Sequence, residues 1–597
     1  MRGKLSIGAV CGALIALAGT CPAASAVGGP ANWMYEPTSF TEVHLTLPQA
    51  SITALEAEPK EYVEGTFSIA ETDGTPGSAG PFSAPLTVGI ELKGSLGSMR
   101  RLSEKAAFKI KFDKFVDGQS FLGLEKMTLN NMVQDPSMVH EATTYEAFHR
   151  MGVPAPHVGY TYLTVNGESY GVHLNIETQD AQSLENEFGT PFTAPPQHLY
   201  SGEYGADVSN ELLHETAQKK WEALEVSEGK KKEKGDLEAL VAAVEGTTPS
   251  FSERVAGVAD LTEMTKDFLV EKFVGNFDGY AGIAPDYYRP NNFYLYSDTA
   301  GRFQLMPWGT DQTWQSDEHV DFGTGGGILF SECMADLAGC RQTYLQAARE
   351  GLSALDATTL DTVARCAALE LRPWQEREAT ESNWLRLPDP AEDAAENLQK
   401  ETDEVAATRA FIASRPGELA AFLGEPAPPP GSEPACPPLR PIGGFVEPEA
   451  EPEPEPEPEP KADDGSPDAP VVGPGAASSP GPTPPGAPTT SAGLAVVRVA
   501  HRGDSIALRL DVPGPGRAIL RGSYGNRAWA ACRGSAAVSD AGVATVACDF
   551  TGRFSSLLRR RWRRIRLDAR FVSSTGSVEA IARSLELRRW PTHPSSS

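Results

Sequence analysis

Beyond its N-terminal segment the sequence lacks any apolar run of the ~20 residues that a membrane-spanning helix needs, so no transmembrane anchor is expected. It has no Cys-x-x-Cys pair, which leaves a zinc site without support. The lysine-rich stretch from Glu228 to Gly235 lacks interleaved aromatic residues, so it reads as a solvated loop and no nucleic-acid partner is expected. Lysine itself is missing from Leu494 to Trp590, where arginine supplies the positive charge apart from one histidine.

What is present is distributed unevenly. The 597 residues suffice for several domains, and a hydrophobic content of 40% is ordinary, but 48 prolines and a net charge of -28 are not. Both excesses are largely local. From Glu425 to Ser491 the chain turns to Pro, Glu, Gly and Ser, with alternating Glu and Pro from Glu447 to Pro460. Proline favours extended backbone and like charges repel, so residues 425–492 are expected to form a disordered acidic spacer, more a stalk than a binding tail. At the other end, Arg2 and Lys4 precede an apolar run that closes on Ala24-Ser25-Ala26, the small-x-small pattern of a signal peptide, residues 1–26. A secreted or cell-surface protein, cleaved near Ala26, is therefore expected. Of eight cysteines, Cys11 and Cys21 leave with that segment, and an even number remains, which in an exported chain favours disulfides. Cys333 with Cys340 closes a short loop, Cys532 with Cys548 staples a small domain, and Cys366 and Cys436 are left to each other.

Between these ends, residues 27–424 read as β-rich first and helical later. Short alternating strands such as Glu42 to Leu47 lead to Val88–Leu92, which enters a loop holding Gly94 and Gly97. Such a loop lets backbone amides approach a phosphate, although a plain turn has the same look. Ala106–Phe112 follows as a strand, with Lys105 before it and Lys109 and Lys111 within it. Met138–Met151 has helical spacing of apolar residues and carries Glu141 and Glu146. Tyr160–Val165, Asn166-Gly167 and Tyr170–Ile176 form a hairpin, with Glu177 directly after it. Glu211–Val244, interrupted by the charged stretch, and Leu261–Gly275, Gln342–Leu371 and Ala391–Leu423 are expected to be helices. The order fits an α+β domain of two lobes.

The segment from Asn276 to Trp314 carries the most specific chemistry. Phe293–Tyr296 and Arg302–Met306 suit two strands joined by a turn at Asp298–Gly301, which brings Asn292 and Asp311 to the same end of a hairpin. Asp278 joins them if the intervening loop folds back. An acid, an amide and an acid so arranged suit phosphoryl transfer, with one carboxylate taking a proton and the other two groups holding Mg²⁺ on phosphates. Turn and cap residues at strand ends have the same composition.

The ordered set Leu92-Lys93-Gly94-Ser95, Lys105 to Phe112, Leu129-Asn130-Asn131, Asp135-Pro136-Ser137, His140-Glu141, Gly152 to Pro156, Val165-Asn166-Gly167, Tyr170-Gly171, Asn291 to Tyr296 and Pro307-Trp308-Gly309-Thr310-Asp311 resembles the CotH (spore coat protein H) kinase family over about residues 35–425. The resemblance implies a two-lobed, atypical protein-kinase-like fold that binds ATP and Mg²⁺, with Mn²⁺ or Ca²⁺ as alternatives, and phosphorylates exported or cell-surface proteins. It further implies that Asp278 is the catalytic acid, that Asn292 and Asp311 are metal ligands, and that Lys105 or Lys111 contacts the ATP phosphates. Glu141 would partner the lysine, and Glu177 matches a recurrent acid on the nucleotide side. Many members read Trp-Asp-x-Asp where this chain has Trp308-Gly309-Thr310-Asp311, so one acid is missing.

Residues 493–597 form a separate basic module. Runs such as Ile506–Leu510 and Val543–Cys548 suit a small β-sandwich, and the cluster from Arg559 to Arg566 suits an anionic surface polymer or an exposed strand face. The expected function is transfer of the γ-phosphate of ATP to Ser or Thr of an exported protein. Two alternatives are a surface-binding protein that kept the fold and lost catalysis, and transfer of AMP. Scarce extracellular nucleotide favours the former, and the retained Asp278, Asn292 and Asp311 favour an enzyme.

Overall fold

The computed structural model describes residues 30–436, apart from 38, 96, 203, 212–217, 283–289, 316–320, 382–393 and 430. It also describes 495–587, apart from 503–504, 525–528, 539–541, 551–562 and 574–577. The expected signal peptide, most of the acidic spacer and Arg559–Trp562 lie outside the described residues. The chain divides into two compact units, Met1–Glu447 and Pro448–Ser597.

The first unit begins with a closed barrel. Its strands are β1 (Phe40–Thr46), β2 (Val63–Glu71), β3 (Leu86–Lys93), β4 (Ala107–Lys111), β5 (Lys126–Asn130), β6 (Val158–Val165) and β7 (Glu168–Ile176), with helix α1 (Gln49–Ala57) between β1 and β2 and α2 (His140–Arg150) between β5 and β6. Neighbours run β1-β2-β3-β4-β5-β7-β6, and a parallel pairing of β1 with β6 closes the ring. Alternation explains the filling: Val88, Ile90 and Leu92 of β3 pack with Phe108 and Ile110 of β4, while Lys109 and Lys111 point outward.

A second sheet, ordered β11-β10-β8-β9, follows from β8 (His198–Gly202), β9 (Leu224–Glu228), β10 (Phe293–Ser297) and β11 (Phe303–Pro307). Helices α3 (Ala181–Phe188), α4 (Gly235–Glu245), α5 (Phe251–Val255), α6 (Leu261–Phe273), α7 (Ile328–Ala335), α8 (Cys340–Ala354), α9 (Ala357–Glu381) and α10 (Ala394–Leu423) complete the unit. α9 ties helices to barrel: Trp374 stacks on Phe40 with ring centroids 4.1 Å apart, and Arg377 reaches Glu42 at 2.9 Å.

Two helical expectations need correction. Within Glu211–Val244, Leu224–Glu228 is a strand and not helix, because Leu224 and Val226 are buried and alternate with exposed Glu225 and Ser227, a period of two that places β9 against β8. Gln342–Leu371 breaks at Leu355-Asp356, where Asp356 accepts the Thr359 amide at 2.9 Å and starts α9. The disulfides Cys333–Cys340 and Cys366–Cys436 are formed as expected.

In the second unit, β12 (Ala495–Arg502), β13 (Ser505–Val512), β14 (Gly516–Tyr524), β15 (Trp529–Val538), β16 (Gly542–Phe550), β17 (Arg563–Ser573) and β18 (Val578–Leu587) are antiparallel, ordered β12-β13-β16-β15-β14-β17-β18. These strands form one hydrogen-bonded ladder, in which β15 meets β16 through Cys532 opposite Phe550 and Arg533 opposite Asp549. Cys532 is disulfide-bonded.

Candidate active site

The β10–β11 hairpin sets the site. Phe293 pairs with Pro307, so Asn292 and Trp308 meet just beyond the ladder, and the Trp308 amide donates to the Asn292 carbonyl at 3.1 Å. Asp311 follows in a 3₁₀ turn, Thr310–Gln312, packed on α2, where its carbonyl contacts His140 Nδ1 at 2.9 Å. The loop after α6 delivers Asp278 to the same place. Its carboxylate accepts from Asn292 Nδ2 at 2.9 Å, Asn291 Nδ2 at 3.2 Å and Gln312 Nε2 at 3.3 Å.

From the barrel come Lys93, at the end of β3, and Glu141, in the first turn of α2. Lys93 lies over the Trp308 ring at 5.8 Å, which bridges the barrel to the hairpin. Glu141 is buried and accepts from Asn130 Nδ2 at 2.5 Å and Tyr145 Oη at 3.3 Å.

Electrostatics join these groups into one cluster. Burial raises the Asp311 carboxyl well above the usual range; Glu141 and Asp278 push the same way, and Lys93 opposes them. Glu141 is likewise raised by burial, against the pull of Lys93 and Asn130, and Asp278 is raised to about 6 by burial against the amides of Asn291 and Asn292. Burial lowers Lys93, while Glu141 and Asp311 hold its proton. Three carboxyls outnumber one ammonium, so the cluster would carry excess negative charge if all were ionised, and a proton or a cation offsets it.

Residues 90–362 match the family model for CotH kinase protein. The chain carries a CotH domain. Two curated relatives come from Bacillus subtilis (strain 168). Inner spore coat protein H-like protein is 32% identical over 120 residues, 20% of this chain and 36% of the relative. Inner spore coat protein H is 25% identical over 228 residues, 37% of this chain and 58% of the relative. Each match spans less than two thirds of the relative's own length.

The donor set of the CotH domain fits a hard divalent cation. Asn292 and Asp311 offer oxygen, the preferred ligand of Mg²⁺, and the neighbouring carboxyls of Asp278 and Glu141 favour a cation there. Among the described residues no three His, Cys, Asp or Glu side chains form a cage. One carboxylate and one amide would therefore leave the remaining positions to water and substrate phosphate, the usual pattern for Mg²⁺ beside a nucleotide. Gly309 lies next to this set in left-handed backbone, φ 56° and ψ 52°, and a Cβ there would sit 3.2 Å from Asn292 Oδ1. Any side chain at position 309 would press on the amide.

Of the residues singled out from the sequence, Glu141, Asp278, Asn292 and Asp311 come together. Lys105 is held elsewhere, in a buried ion pair with Glu378 of α9 at 3.0 Å. Lys111 pairs with Asp113 at 3.4 Å, at the far end of β4 and about 13 Å along the strand from Ala107, the residue opposite Lys93. Glu177 directly follows β7 and accepts the His157 amide at 3.3 Å; burial raises it to about 8, with Asp180 and Glu187 adding to the effect. Lys93 carried no role in the sequence reading, although it stands in the quoted Leu92-Lys93-Gly94-Ser95 motif. Its place at the end of a strand that enters a glycine loop was the available signal.

Proposed function

We propose that the CotH domain is an atypical protein kinase that transfers the γ-phosphate of ATP to Ser or Thr of exported or surface proteins. The convergence of Lys93 and Glu141 from the barrel with Asp278, Asn292 and Asp311 from the hairpin side carries this reading. The barrel with α2 and the second sheet with its helices then act as two lobes, and ATP lies between them. Lys93 neutralises phosphate charge and is oriented by Glu141. Asp278, fixed by three amide groups, accepts the proton of the acceptor hydroxyl. Asn292 and Asp311 hold Mg²⁺, or Mn²⁺ or Ca²⁺, which when bound neutralises charge on the phosphates. The raised affinity of Asp278 for protons suits a general base working near neutral pH.

Two relatives are named for the inner spore coat, which supports acceptors at a cell or spore surface, in keeping with the signal-like N-terminus. The test is transfer of label from ATP, carried separately at the γ- and α-positions, with each metal. Label from the α-position would indicate AMP transfer instead. Gly309 favours a second reading, a binding protein without catalysis, and absence of transfer by folded protein under every metal would select it.

We further propose that the second unit binds an anionic surface polymer. Ile506, Leu508 and Leu510 of β13, Ala518 and Leu520 of β14, and Leu567 and Ala569 of β17 are buried. The sequence of these strands also holds Arg509, Arg521, Arg566 and Arg570. Arginine-rich strands are suited to phosphate-bearing chains.

A further inference from the structure

We propose that Glu271 and Lys272, at the C-terminal end of α6, form a clamp that positions Asp278; the role rests on the kinase reading of the site. Both side chains are buried, and both are aimed at the backbone of the loop carrying Asp278. Glu271 accepts the amides of Tyr280 at 2.8 Å and Gly282 at 3.0 Å, and also that of Ala281. Lys272 donates to the carbonyl of Ala281 and to that of Thr324, the latter at 2.7 Å. Ala281 is thus gripped at its N–H by one residue and at its C=O by the next.

The grip reaches Asp278 through the start of the loop. The Asn276 amide donates to the Glu271 carbonyl at 2.9 Å, and Asn276 Oδ1 accepts the Asp278 amide at 3.3 Å. Close packing leaves the loop no slack. A Cβ on Gly279 would lie 2.4 Å from Glu271 Oε1, one on Gly282 would lie 1.5 Å from the Asn276 carbonyl oxygen, and one on Gly325 would lie 2.0 Å from Lys272 Nζ. The helix end is itself anchored, because Arg415 of α10 donates to the carbonyls of Phe273 at 2.7 Å and Lys272 at 2.5 Å. Apolar residues would fill this space without the desolvation cost of buried charge, so the charges are accounted for by what they hold.

The test uses the full chain with Glu271→Gln, which keeps the shape of the side chain, and Lys272→Met. Thermal unfolding identifies the folded variants, and the isosteric Glu271→Gln carries the test should Lys272→Met not fold. The expected result is a fall of about a hundredfold in kcat for label transfer, as a misplaced reacting group gives. ATP affinity measured at equilibrium stays within about threefold, because Lys93, Glu141 and Asp311 stand on other elements. Hydrogen exchange at the amides of Tyr280 to Gly282 accelerates about tenfold or more. Unchanged kcat and exchange in the folded variants would overturn the clamp, as would an ATP affinity that falls in step with kcat. Absence of transfer by the parent protein would sink the kinase reading alone, and the exchange arm would still decide whether the two residues hold the loop.

Discussion

Lys93, Glu141, Asp278 and Asp311 each depart from their ordinary proton affinity, by burial first and then through their neighbours. Such mutual perturbation in a cleft is characteristic of functional sites, though structural ion pairs produce it too. The discriminating prediction concerns the lysine. Lys93→Met should lower label transfer by about a hundredfold or more, the scale seen when a charge-stabilising group is lost. Lys111→Met should leave transfer near the parent value; equal losses in both variants would contradict the assignment to Lys93. Asp278, Asn292 and Asp311 were legible in the sequence because a hairpin with turn chemistry at its tip brings its two ends together. Which lysine stands beside them was not. It depends on where β3 ends relative to β4 and on Glu378, 273 residues away from Lys105, which draws that lysine into an ion pair.

Glu177, at the junction between β7 and α3, shows what burial does at an element's end. Its folded-state proton affinity, raised from 4.5 to about 8, exceeds that of the unfolded chain. The folded state therefore binds the proton more tightly, and the resulting stability is present below pH 4.5 and lost as pH rises to about 8. Glu177→Gln should remove that part of the pH dependence, so that the variant loses less melting temperature than the parent between pH 5 and pH 8.5, read by thermal unfolding. A parallel profile would contradict a protonated Glu177. Elements with clear periodicity, such as α2, β3 and the β10–β11 hairpin, were readable locally. β9 was not, because its five residues lie beside charged helix-forming sequence and become a strand only by pairing with β8.

At the scale of the whole molecule, the Cys366–Cys436 disulfide ties α9 to the segment beyond α10, closing a loop with a sequence separation of 70. Replacing both cysteines by alanine should lower stability by about 3 kcal/mol, measured as a fall in melting temperature against the same protein oxidised. No change would show that the helices hold that segment without the bond. For the second unit, the full chain should be retained on a phosphate-bearing polymer, less so with Arg521→Glu and Arg570→Glu together, and less at higher salt. Equal retention on a neutral polymer would contradict the proposed partner. The most direct test of the central claim is γ-label transfer from ATP to an exported-protein extract by the full chain, beside Asp311→Asn, with Mg²⁺, Mn²⁺ or Ca²⁺. The account predicts metal-dependent transfer by the parent and its loss in Asp311→Asn. Equal transfer by both, or none by folded parent protein under any metal, would contradict it.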